Sequence, residues 1–182
     1  MPPKRRWKNP STSSKDCISD FPPSQDSEED LYFFALKLLA RRPFSAHEIR
    51  TRLSERSSSP STISAVIEKL ESKGYLNDRQ YIELFLRSRE RKAEGYSRLT
   101  RELRLRGLQT DLIREVLKDL YPVEQERRAL TQAFEKKART ILPPMDEKKI
   151  SRLYNHLLRK GFRDEEIRRE IRARFGRLNN SS

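Results

Sequence analysis

The chain has 182 residues, 34% hydrophobic and 37% charged, a mix that suits stacked helices with narrow apolar stripes better than one thick core. Forty Lys and Arg against 27 Asp and Glu give a net charge of +13, which favours anionic partners: nucleic acid, acidic protein surfaces or anionic membrane. A single cysteine, Cys17, excludes an intrachain disulfide, no Cys/His cluster has metal-ligand spacing, and no apolar run approaches the ~18–20 residues of a membrane span.

Residues 1–29 read as a disordered tail, rich in Pro, Ser, Lys and Arg and then acidic, with too little apolar content to offset ordering entropy. Lys4, Arg5, Arg6 and Lys8 surround Trp7, a set able to touch phosphates and stack on a base, although a solvated tail is the preferred reading. The N-terminus lacks the apolar stretch of a secretory signal, so a cytoplasmic protein is expected.

Helical patterning starts near Asp30. Leu31, Phe34, Ala35, Leu38 and Leu39 share one face, and Pro43 ends the helix. Ser45 and Glu48 spell a capping box for a second helix carrying Ile49 and Leu53. Ser59 with Pro60 starts a third, with Ile63, Val66, Ile67 and Leu70 as its stripe and Gly74 as its stop. Asn77 opens a fourth, with Tyr81, Ile82, Phe85 and Leu86 apolar, and Gly95 breaks it. The fifth carries Leu99 and Leu103 and stops at Gly107; the sixth carries Leu112, Ile113, Val116, Leu117 and Leu120. After Pro122 a seventh runs to about Ile141, and Pro143-Pro144 ends it. An eighth covers about 146–160 up to Gly161, and a ninth about 164–175.

The chain repeats itself. Leu99, Leu103, Gly107, Leu108, Ile113, Leu117 and Tyr121 align without a gap, at a shift of 54, with Leu153, Leu157, Gly161, Phe162, Ile167, Ile171 and Phe175. At a shift of 50 in the other direction they align with Ile49, Leu53, Ile63 and Ile67, and Val116 and Leu120 fall on Val66 and Leu70. Any two amphipathic helices align somewhere, but a constant shift through two helices and their turn is not chance. The expected fold is all-α: an elongated array of three tandem three-helix repeats at 30–75, 76–121 and 122–176, with 177–182 frayed. The first copy has Ser57-Ser58 where the others have Gly followed by an apolar residue, so its turn is expected to be looser.

Position sorts the positive charge. Eight basic residues from Arg87 to Arg106 face only Glu90, Glu94 and Glu102, more than helix termini require. Arg98, Arg101 and Arg104 point away from Leu99 and Leu103, and Lys148, Arg152, Asn155 and Arg159 form a stripe away from Leu153 and Leu157. Arg168, Arg169 and Arg172 add to it. Two ridges at equivalent places suit a long polyanion or a nucleoprotein filament; the plain alternative is a solvated charged face. The candidate contacts are Arg87, Arg89, Arg91, Lys92, Arg98, Arg101 and Arg104, then Lys148, Arg152, Arg159, Arg169 and Arg172. No Gly-rich phosphate loop, HExxH or nucleophile–His pairing points to catalysis, and neither a cofactor nor a metal is implied.

The ordered set Gly74-Tyr75-Leu76-Asn77-Asp78, Tyr81, Arg87, Arg89, Gly95, Leu103, Arg106-Gly107-Leu108 and Ile113 resembles the bacterial regulatory RecX family. The opening Ala35-Leu36-x-Leu38-Leu39-Ala40-Arg41-Arg42-Pro43-Phe44-Ser45 and the closing Leu158-x-x-Gly161-Phe162 with Ile167 fit as well, so the likeness covers roughly 31–175. Asn77, where the family usually has Asp, and the serine-rich turn at 57–59 depart from the pattern. The resemblance implies a modulator, mainly an inhibitor, of the recombinase RecA. Such a protein would lodge in the groove of the RecA filament on single-stranded DNA, regulating repair, recombination and the SOS response. It would need no cofactor, act as a monomer, and meet nucleic acid weakly or indirectly, with no membrane role. A direct DNA-reading helix-turn-helix protein is the rival reading, although the third helices lack a clear Asn/Gln pattern for base edges. A purely structural protein–protein adaptor is a third.

Overall fold

Most of the described helices begin where a side chain or a neighbouring unit takes up a first free amide. A computed structural model describes residues 27–141 and 146–176, and among them lie nine α-helices and no strand. Helix α1 (Glu28–Arg41) is capped by Ser27, whose Oγ accepts from Asp30 N at 3.2 Å. Glu28, Glu29 and Asp30 put negative charge on its first turn. The helix therefore starts before Asp30, taking in the end of the stretch 1–29 expected to be a tail, because cap and acidic turn reinforce each other. Trp7 and its cations, Cys17, Pro143-Pro144 and 177–182 lie outside the described residues.

The capping box at Ser45 and Glu48 opens α2 (Ala46–Ser54), and Ser59 with Pro60 opens α3 (Pro60–Ser72). These three helices close over Leu31, Ala35, Leu38, Ile49, Leu53, Ile67 and Leu70. Asn77 caps α4 (Asp78–Arg89), which runs into a 3₁₀ turn at Glu90–Lys92. With α5 (Tyr96–Arg104) and α6 (Thr110–Leu120) it encloses Tyr81, Phe85, Leu99, Leu103, Ile113 and Leu117. The third set, α7 (Val123–Ala138), α8 (Glu147–Arg159) and α9 (Asp164–Phe175), encloses Leu130, Phe134, Leu153, Leu157, Phe162 and Ile167. The array is thus three small cores in series, each fed by one copy of the apolar pattern.

The turns between second and third helices differ as their residues do. Gly107 (φ +74°) and Gly161 (φ +86°) adopt the left-handed conformation, and Leu108 N and Phe162 N bond back to Leu103 O and Leu157 O at 3.4 Å. The first turn needs no such residue: Arg56 N and Ser57 N both donate to Leu53 O at 2.9 Å. Ser57 is buried and its Oγ accepts from Ser59 N at 3.2 Å. Serine thus closes this turn by another route, rather than leaving it open.

One apolar position departs from the pattern. Leu70 is fully buried, but its counterpart Leu120 is 47% exposed. After Leu70 the chain folds back through Gly74, Tyr75 N and Leu76 N donate to Leu70 O, and Leu76 covers the site. After Leu120 it passes through Pro122 straight into α7, and no residue returns to cover the leucine.

Candidate functional site

The three units meet at two joints built to one plan. In each, the turn after the second helix of one unit docks on the N-terminus of the second helix of the unit before it. At the first joint the Arg106-Gly107 turn meets Ser45–His47. Ser45 Oγ donates to Arg106 O at 2.7 Å, and Ala46 N donates to Asp78 Oδ1 at 2.8 Å. The Arg106 guanidinium, itself buried, donates to Tyr81 OH at 2.9 Å and to Glu48 Oε1 at 3.4 Å. A Cβ on Gly107 would lie within 2.4 Å of the His47 side chain, so only glycine permits the approach.

At the second joint the Lys160-Gly161 turn meets Gly95–Arg98. Gly95 N donates to Lys160 O at 2.8 Å, Ser97 N to Gly161 O at 3.2 Å, and Tyr96 N to Glu126 Oε1 at 2.9 Å. The Lys160 amine donates to Ala93 O at 3.2 Å and to Lys92 O. Arg98 Nη1 donates to Arg159 O at 3.4 Å. Asp78 and Glu126, each near the start of its unit's first helix, thus serve the same purpose: each accepts a free amide from the preceding unit's second helix. A carboxylate there also suits the positive end of the helix it faces.

Burial shifts several of these groups. It pushes the Asp78 carboxyl above its ordinary range, with Glu48 adding to the rise and the Ala46 amide opposing it. It pushes the Tyr81 hydroxyl up to about 12, and raises that of Tyr121, which donates to Glu94 O at 2.6 Å. It lowers the Lys160 amine, helped by Lys136, Arg98 and Lys92 and opposed by Glu94. The mutual repulsion places those cations around the second joint; Lys136 and Lys160 are ones the sequence pattern did not single out.

The predicted contact residues divide into three groups. Arg89 is only 5% exposed and lies inside the fold, a correction to its reading as a surface contact. Its guanidinium pairs with Glu94 at 3.5 Å and with Glu102, and Arg98 Nε reaches the same two carboxylates at 3.2 and 3.3 Å. Two of the three acids set against the basic run are thereby consumed by Arg89 and Arg98, and Arg106 is taken into the first joint. A second group is on the surface but occupied: Arg169 pairs with Glu166 at 3.0 Å, and Arg172 Nε donates to Arg168 O on its own helix.

The third group is exposed. Arg87, Arg91, Arg101, Arg104, Lys148, Arg152 and Arg159 have no ion pair with another described residue, and Lys92 is exposed beside them in sequence. By contrast Arg79 in α4, Arg114 in α6 and much of α9 are paired, as in Arg79–Glu115, Arg114–Asp111 and Arg168–Asp164. In α2 the places of Arg98, Arg101 and Arg104 are taken by Glu48, Thr51 and Ser54. Among the second helices of the three units, the uncompensated ridge therefore belongs to those of the second and third.

A cleft of about 490 Å³ lies between the end of α4, the 3₁₀ turn and α7, lined by Leu86, Ala93, Leu99 and Leu120 with Arg87 and Arg128. Among the described residues no group of three or more His, Cys, Asp or Glu is placed to hold a metal ion. No helix there is long and apolar enough to cross a membrane.

Comparison with known proteins matches this architecture unit by unit. Family models described as the first, second and third three-helix domains of RecX match residues 32–70, 77–117 and 124–171. The regulatory protein RecX of Halorhodospira halophila is 33% identical over 134 residues, covering 74% of this chain and 81% of that protein. The one from Haemophilus influenzae is 30% identical over 137 residues, covering 74% and 88%. The crystal structure of RecX from Lactobacillus salivarius superposes with a TM-score of 0.71 at 22% identity, over 80% of this chain and 95% of that one, and shares the fold.

Proposed function

The chain belongs to the RecX family of regulatory proteins, and from that premise we propose that it modulates, mainly inhibits, the RecA recombinase. In this reading the protein lies along the groove of the RecA filament on single-stranded DNA in the cytoplasm and restrains its activity in repair and the SOS response. One observation carries the reading. Exposed cations without carboxylate partners recur on α5 and α8, helices held in register by the second joint. A filament is itself a repeating object. A rigid array that presents the same charge twice, one unit apart, can engage successive filament positions and resist a change in their spacing. The protein acts by binding and needs no cofactor.

The test is RecA ATPase on single-stranded DNA at increasing protein concentration. Wild-type chain is expected to inhibit, and a variant with Arg101, Arg104 and Arg152 changed to Glu is expected to lose inhibition with unchanged helical content. These three carry no internal ion pair among the described residues, so reversing them spares the fold. No effect of wild-type protein at saturation would refute the proposal. Tight sequence-specific duplex binding without RecA would instead favour the DNA-reading alternative.

A further inference from the structure

The ridges carry more than charge. Leu105, at the end of α5, is 79% exposed, and Leu158, in the last turn of α8, is 44% exposed. Exposed leucines scattered singly need no explanation. These two are not scattered. At the shift of 54 that relates the units, Leu158 falls on Arg104 and Arg159 falls on Leu105. Each ridge therefore ends in one leucine and one arginine, in opposite order, with both residues exposed. In the first unit the same two places hold Ser54 and Glu55, and neither the leucine nor the cation is present.

At about 100° per residue, Leu105 lies about 40° around the helix from Arg101, and Leu158 about 60° from Asn155, on the side away from the buried Leu99–Leu103 and Leu153–Leu157 faces. Leu105 thus stands within its basic ridge, and Leu158 borders its own. A surface reading only phosphate has no use for them. Single-strand binders set aromatic rings among their cations for bases to stack on. The tyrosines of these helices are engaged elsewhere: Tyr96 lies under Arg163 at 5.9 Å, and Tyr154 OH donates to Asp164.

We propose that Leu105 and Leu158 are paired anchors, and that the ridges dock on an acidic protein surface with an apolar socket at each repeat, rather than on the nucleic-acid backbone. This rests on the filament reading above and specifies its partner surface. Each leucine enters a socket while the neighbouring Arg101 and Arg104, or Arg152 and Arg159, pair with carboxylates at its rim. An apolar centre with a charged rim is how protein interfaces divide their labour.

The experiment uses the full chain and its Leu105→Ala, Leu158→Ala and double variants. Two readouts are taken: inhibition of RecA ATPase on single-stranded DNA, and binding of a labelled single-stranded oligonucleotide without RecA. Burial of one leucine predicts a midpoint for inhibition raised about tenfold by either change. The double variant should be weaker still, with oligonucleotide binding unaltered. Both leucines are exposed, so helical content should not change, and Phe33→Ala, an exposed apolar change on α1, should inhibit like wild type. If wild-type protein inhibits and the double variant inhibits equally, the anchor proposal is wrong while the filament reading stands. Weaker oligonucleotide binding by the leucine variants, or an equal loss with Phe33→Ala, also overturns it. Absence of inhibition by wild-type protein removes both.

Discussion

The two joints solve one packing problem with different atoms. In each, a turn ending in a left-handed glycine sits on the N-terminus of the preceding unit's second helix, and a carboxylate from the next unit takes a free amide. At the first joint the contact is made by side chains. Ser45 reaches Arg106 O through its hydroxyl, and His47 is what Gly107 packs against. At the second, glycine replaces serine at the cap and the backbones meet directly: Gly95 N donates to Lys160 O, and a Cβ on Gly95 would stand 2.4 Å from the Gly161 carbonyl. A cap is usually judged by what it does for its own helix. Here the cap residue also sets how closely the next unit approaches.

The strongest way to break this symmetry is Gly161→Ala. A methyl there meets Arg98 backbone N at 2.4 Å, and φ of +86° is strained for any L-residue. Strain and overlap together predict a loss of about 3 kcal/mol, seen as a lower urea midpoint. Gly107→Ala carries similar strain, and its methyl would stand 2.4 Å from the His47 Cβ, which no side-chain rotation moves aside, so a loss of similar size is expected at the first joint. A clearly smaller loss at either glycine would mean that its joint is not held by the close approach.

Of similar size is Arg89→Met, behind the second joint. It leaves Glu94, 6% exposed, and Glu102 to share Arg98 alone. Breaking a buried pair from one side costs about 3–5 kcal/mol, and Arg98's contacts put the expectation at the lower end. At the first joint, Arg106→Met should cost less, because Glu48 keeps Arg42 at 3.3 Å and the Ser45 amide at 3.1 Å. Denaturant titration of both variants checks the order.

The repeat and the caps were legible in the sequence, since Leu99, Leu103, Ile113 and their counterparts must recur for each unit to bury anything. The joints were not. Ser45 and Glu48 announced a capping box, and nothing in the local pattern shows that Ser45 Oγ also serves Arg106, 61 residues away. Arg89 failed for the related reason that helical spacing says which way a residue faces, not whether two carboxylates wait there. Summing charge between Arg87 and Arg106 counted Arg89 and Arg106 as surface when both are internal. Glu126 reads as one acid among several in α7's first turn, and its partner Tyr96 N is 30 residues away.

Ser45→Ala tests the serine's double duty. The change removes a cap from Glu48 N at 3.1 Å and leaves the buried Arg106 carbonyl without its hydroxyl donor. A loss of about 1–2 kcal/mol is expected, with protection from hydrogen exchange falling at Ala46 and Arg106 and not at Gly95. Loss of protection at both joints would show the array unfolding as one body rather than joint by joint.

The smallest effect, pH, should act on the two joints with opposite sign. At the first, Asp78 faces Glu48 and His47, and burial raises its pKa above 3.8. A raised carboxyl contributes stability that is present below the unfolded value and lost as pH rises through the folded one, so mild acid favours this joint. Beside the second, the His156 imidazole in α8 is held below 6.5, first by burial and then by Lys160, Lys137 and Arg159. Its contribution is complete above 6.5 and is lost as pH falls through the folded value, because a fourth cation must then form among three. Lys160 has the same sign but a higher window: its lowered amine adds stability only as pH climbs toward 10.5. From about pH 7 to about pH 5, protection of Gly95 and Ser97 amides should fall, after correction for intrinsic exchange, while that of Ala46 holds or rises. His156→Gln should flatten the first trend and leave the second alone. A parallel decline at both joints would mean that titration reaches the array through its net charge of +13 rather than through these groups.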